Sequence, residues 1–126
     1  MNLNFSQSTG LVTRDDGTHV AQGWAGNGEG KCNPAMQHVH NVGPLPQGIY
    51  RIGPWQNHPH LGRMVAPLTQ ITGETFGRDG FFIHGPSLDP ARRGQESQGC
   101  CVVPFAGRLK IHDLTPGPND TLTVTP

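Results

Sequence analysis

The sequence predicts a mostly β domain with one short helix, and three observations carry that expectation. Apolar residues come in short runs, several with the every-second-residue alternation of a half-buried strand. The 18 glycines and 12 prolines fall between those runs instead of forming tracts, which is the punctuation of a turn-rich β protein. Only the segment after Pro104 combines a proline suited to a first helical turn with a partial apolar side. Glycine and proline abundance raises the question of disorder, but a formal net charge of zero and a sufficient aliphatic content oppose it. At 126 residues and 13.6 kDa the chain has room for one core, so residues 1–126 are read as a single domain whose site is assembled from loops and strand ends.

Taken in order, residues 3–7 and 10–14 flank Ser8-Thr9, and Asp15-Asp16-Gly17 separates the second run from Thr18 to Trp24, as in an antiparallel meander. Residues 25–47 carry Gly26, Gly28, Gly30, Pro34, Gly43, Pro44 and Pro46 without a sustained period and are expected to form a long ordered loop. Gly48-Ile49-Tyr50-Arg51-Ile52 alternates after a Pro-Gln-Gly turn and predicts a strand; residues 64–71, 80–84 and 121–125 predict three more. Pro104 opens a helix to about His112, with Phe105, Leu109 and Ile111 as its apolar side.

Zero net charge and a pI near 7.0 lack the electrostatic footprint of a nucleic-acid-binding protein. No apolar run is long enough to span a bilayer, and residues 1–25 lack the apolar stretch of a secretory signal; the expectation is a protein made in the cytoplasm without a cleavable signal that works there or leaves by a route that reads none, or else a processed form. Three cysteines, Cys32, Cys100 and Cys101, do not make a disulfide framework.

The informative stretch is residues 78–104, where an apolar strand ends in His84-Gly85, a polar loop follows, and Ser97-Gln98-Gly99-Cys100 leads into a second apolar strand. A thiol is a weak nucleophile until it ionises, and an imidazole that takes its proton lowers its pKa. His84 and Cys100 are expected at the same end of two strands that a loop pairs side by side. Gly85 lets the backbone bend so that its carbonyl accepts the second imidazole N–H and fixes the tautomer. Gly99 allows close approach of a substrate carbonyl, and the backbone N–H groups of Gln98, Gly99 and Cys100 are candidate oxyanion donors.

His-Gly, a loop, and then Ser-x-Gly-Cys followed by aliphatic residues resembles the active-site signature of the L,D-transpeptidases, whose usual form is Ser/Thr-His-Gly-Cys; Gln98 stands where that family carries its second histidine. The Gly-Pro-Leu-Pro-Gln-Gly-Ile-Tyr run at 43–50, Phe76-Gly77-Arg78 and Phe81 to Gly85 are similar to the small L,D-transpeptidase-like effectors that type VI secretion delivers into rival bacteria. The resemblance implies an L,D-transpeptidase-like β-sandwich of mixed or antiparallel sheets with the site at one rim. It implies Cys100 as nucleophile and His84 as base, acting on peptidoglycan tetrapeptide stems through a thioester, with no cofactor or metal. It also implies secretion to the periplasm of a target cell, a periplasmic immunity protein that occludes the cleft, and a secretion-apparatus component as partners. The alternative is a non-catalytic module of the same fold that grips peptidoglycan or a partner, with Gln98 as the reason for lost turnover.

Strand alternation puts Cys100 and Cys101 on opposite faces, and Cys101, followed by Val102 and Val103, reads as a core thiol. Ser97 either orients its loop or touches substrate. Arg78 either pairs a stem carboxylate or solubilises the surface, and His38 is a candidate for the substrate cleft. His38-Val39-His40 and His58-Pro59-His60 suggest zinc ligands, and hence a zinc-dependent hydrolase, only weakly, because no third and fourth ligand follow at motif spacing. Cys32 reads as a surface thiol without a partner.

Overall fold

The computed structural model describes residues 1–87 and 97–126; the greater part of the polar loop between Gly85 and Ser97 lies outside the described residues. The fold is mostly β with one short helix. Its strands are β1 (Asn2–Ser6), β2 (Leu11–Arg14), β3 (His19–Gln22), β4 (Trp24–Ala25), β5 (Gly48–Ile52), β6 (Gln56–His58), β7 (Gly62–Gly73), β8 (Phe81–His84), β9 (Cys101–Val102) and β10 (Thr121–Thr125). The helix α1 spans Phe105–Leu114, and two 3-10 turns, Gly28–Gly30 and Pro34–Met36, give the long loop its only regular structure among the described residues.

Alternation explains the inward faces. Leu3 and Phe5 of β1, Tyr50 and Ile52 of β5, and Leu122 and Val124 of β10 point into one core, while intervening residues stay partly or fully exposed. That core also takes Ala66 and Leu68 of β7, Phe81 and Ile83 of β8, Cys101 and Ile111. Tyr50 satisfies its hydroxyl at the carbonyl of Pro46, 2.7 Å away, so the aromatic body is buried without an orphaned donor.

The strands form a single hydrogen-bonded path in the order β3-β2-β1-β10-β5-β7-β8-β9-β4, with β6 as a side branch on β7. The sheet is mixed: β1/β10 and β8/β9 run parallel, the other pairs antiparallel. The strands at the two ends of this path, β3 and β4, are separated in sequence by Gly23 alone. The expected single run from Thr18 to Trp24 is therefore broken at Gly23, and the two packed layers are one sheet that nearly closes on itself. A side chain cannot fit at this seam: a Cβ at position 23 would lie 2.1 Å from the Val102 carbonyl oxygen.

Helix α1 starts after Pro104, as its ring geometry favours, but its buried side differs from expectation. Ile111 is buried, whereas Phe105 and Leu109 are exposed and Arg108 is buried in their stead. Close approach is the cause. Gly107 brings the helix so near that a Cβ there would meet Val103 Cγ1 at 2.7 Å and the Ala21 Cβ at 2.9 Å.

Candidate functional site

β8 and β9 run side by side with Ile83 opposite Cys101 and His84 opposite Val102. Ile83 and Cys101 point into the core, so their neighbours in sequence, His84, Val102 and the residues at the Cys100 level, turn to the other side of the sheet. The two thiols thus part as expected: Cys101 is fully buried and Cys100 partly exposed. Because the strands are parallel, His84 and Cys100 do not share one rim as the ends of a hairpin would. They are diagonal neighbours, roughly 8 Å apart between Cα atoms from ordinary strand spacings.

Cys100 Sγ accepts the Phe82 N–H at 3.3 Å and reaches the Gly80 carbonyl at 3.7 Å. Burial pushes the thiol up to about 11, while the Phe82 N–H and the Arg78 charge act in the opposite direction. Cys101 is also raised, by burial first and by the neighbouring Cys100 second. The His84 ring is almost wholly enclosed, with Nδ1 2.9 Å from the Gly85 carbonyl oxygen. A carbonyl only accepts, so Nδ1 carries the proton in that contact and Nε2 is left as the basic nitrogen.

The turn before Cys100 is held from behind. Ser97 is fully buried; its hydroxyl accepts N–H groups from Gly26 at 2.9 Å and Gly99 at 3.2 Å and donates to the Cys100 carbonyl at 2.6 Å. Of its two expected roles the structure gives it loop orientation. The Gly99 N–H, expected among oxyanion donors, is turned inward by this bond. The Gln98 side chain is exposed.

Arg78 is neither a surface residue nor open to a stem carboxylate. Only 6 % exposed, it donates to the carbonyls of Gln37, Gly43, Pro44 and Gln98, and its guanidinium lies 5.5 Å from the Phe81 ring centroid. Burial lowers its pKa from the ordinary arginine value. Gly99 makes room for it: with φ at +122°, a Cβ there would stand 2.4 Å from Arg78 Nη2.

His38 is exposed beside Phe76, with ring centroids 6.2 Å apart, and makes no described contact with His84 or Cys100. His40 Nε2 lies 3.0 Å from the Phe76 carbonyl, and His58 Nδ1 accepts the N–H groups of His60 and Leu61, each at 3.1 Å. Among the described residues no three His, Cys, Asp or Glu side chains gather as metal ligands would. No helix among them is long and apolar enough to cross a membrane.

Two residues near the site carry no signature that sequence reasoning used. Trp24 stands opposite Val102 on β4, with a buried indole N–H that has no hydrogen-bond partner among the described residues and the Lys31 ammonium 4.8 Å from its ring. Arg108 packs against Gly85 so tightly that a Cβ there would fall 1.9 Å from Nη1. Its position three residues before Ile111, hence on the same helix side, was the available signal.

A nearly closed β domain that presents an imidazole and a thiol on neighbouring strands is the class that fold and site define. The family model of the Tlde1 domain matches residues 19–113, most of the chain and all of this site, and the protein belongs to that family. It is a peptidoglycan-targeting family of type VI secretion effector domains. A search of curated proteins finds no match.

Proposed function

We propose that the protein is a cysteine enzyme of the L,D-transpeptidase type, acting on peptidoglycan tetrapeptide stems after delivery to the periplasm of a target cell. The observation that carries this reading is the placement of Cys100 diagonally across adjacent strands from His84, with His84 Nδ1 committed to the Gly85 carbonyl. Nε2 takes the Sγ proton, and the thiolate attacks the carbonyl at the L-centre of the diamino acid. The resulting oxyanion collapses, the carbon–nitrogen bond breaks, and Nε2–H protonates the departing D-alanine amine, leaving a thioester on Cys100. Water, its proton taken by Nε2, then completes a carboxypeptidase cycle; a D-amino acid amine in its place completes an exchange.

The test is mass spectrometry of purified tetrapeptide muropeptides. Cys100→Ala is expected to abolish D-alanine release and Cys101→Ala to retain it; equal activity of the two variants overturns the assignment. Expression directed to the periplasm is expected to be toxic in a Cys100-dependent way, and cytoplasmic expression harmless. The second reading, a binding module without turnover, draws on the thiol's pKa of about 11 and the inward-turned Gly99 N–H. Periplasmic toxicity that survives Cys100→Ala favours it.

A further inference from the structure

The helix side that faces the sheet carries a charge that no described residue neutralises. Arg108 is only 7 % exposed, and among the described residues its buried Nε has no hydrogen-bond partner. Among the described residues no carboxylate pairs with it, and another cation, Arg63, adds to the burial that lowers its pKa. Both guanidinium groups lie 5.5 Å from the centroid of the Phe105 ring, which also lines a 410 Å³ cleft with Trp55 and Met64. An arginine does not escape such a place by losing its proton, so the desolvated charge favours whatever anion reaches it.

Its location says which anion. Nη1 lies against the α-carbon of Gly85, whose carbonyl holds the His84 ring, so the guanidinium and the base meet at one residue. On the reaction proposed above, Nε2 of His84 protonates the leaving amine, and the carbon next to that nitrogen bears the terminal carboxylate of the stem. A planar fork of N–H donors matches a carboxylate bidentately.

We infer that Arg108 binds the free α-carboxylate of the residue released from the stem, and so restricts the enzyme to the last peptide bond. This rests on the proposed reaction for its substrate, but it is a statement about binding and is tested without turnover.

The Cys100→Ala protein is titrated calorimetrically with two synthetic probes, the tetrapeptide with a free terminal acid and the same peptide ending in an amide. The acid is expected to bind at least about tenfold more tightly, in line with loss of one charge-assisted bidentate contact. Adding Arg108→Met should erase that preference while leaving amide affinity unchanged, and Arg108→Lys should keep part of it. Equal affinity of the two probes, no binding of the acid, or a preference that survives Arg108→Met overturns the inference. If Arg108→Met does not fold, the acid and amide comparison in the otherwise unaltered Cys100→Ala protein and in Arg108→Lys still decides. Failure of the reaction itself reads differently: muropeptide turnover by Cys100→Ala sinks the mechanism whatever the two probes do.

Discussion

Arg78 directs one guanidinium at four carbonyls, three from the 37–44 stretch and one from the turn before Cys100. Removing it leaves buried acceptors unsatisfied, so Arg78→Met is expected to cost about 3 kcal/mol in a urea denaturation series. Gly99→Ala forces a Cβ into that guanidinium from a backbone at φ +122°, and about 2 kcal/mol or more of destabilisation is expected, with altered Cys100 alkylation kinetics. The thiol gives a pH prediction. Its pKa rises on folding from an ordinary 9.0 to about 11, so the native state holds the proton more tightly than the unfolded chain. That stabilisation is complete below about pH 9 and is lost as pH climbs towards 11. Urea midpoints of the unaltered protein should fall relative to Cys100→Ala over that window and stay parallel below it. Alkylation of Cys100 by iodoacetamide should likewise accelerate with rising pH, with Cys101 silent in the core.

At the scale of elements, strands with clear alternation were legible: Gly48–Ile52 and Thr121–Thr125 lie where the sequence places them. β6 was not, and β4 was not separable from the run before it, because two or three residues are too few to show a period. His84, Gly85 and Cys100 were singled out for a different reason: a glycine beside each marks where a chain turns at a strand end. The parallel pairing of β8 with β9 was hidden, since local sequence does not reveal strand direction across a long connection. The burial of Arg78 was not legible, because its partners are backbone carbonyls far away in sequence, such as that of Gly43. Gly23 tests the seam between β3 and β4: Gly23→Ala drives a Cβ onto the Val102 carbonyl and is expected to cost about 2–3 kcal/mol. Native-state hydrogen exchange should show the loss first at β4 and β9, as local opening beside the thiol.

For the whole molecule, β10 is the central fact of assembly. It lies between β1, its parallel partner, and β5, so residues 2–6 and 48–52 meet only through residues 121–125. Deleting residues 121–126 is expected to abolish cooperative thermal unfolding, followed by circular dichroism, instead of merely lowering its midpoint. Time gives this arrangement a further meaning. On a ribosome the strand that joins the two halves follows β8 and β9, so the hydrogen-bonded path around them is incomplete until residues 121–125 have been made. A nascent chain therefore holds both the thiol and the imidazole of the proposed site before the sheet that frames them is joined across its middle.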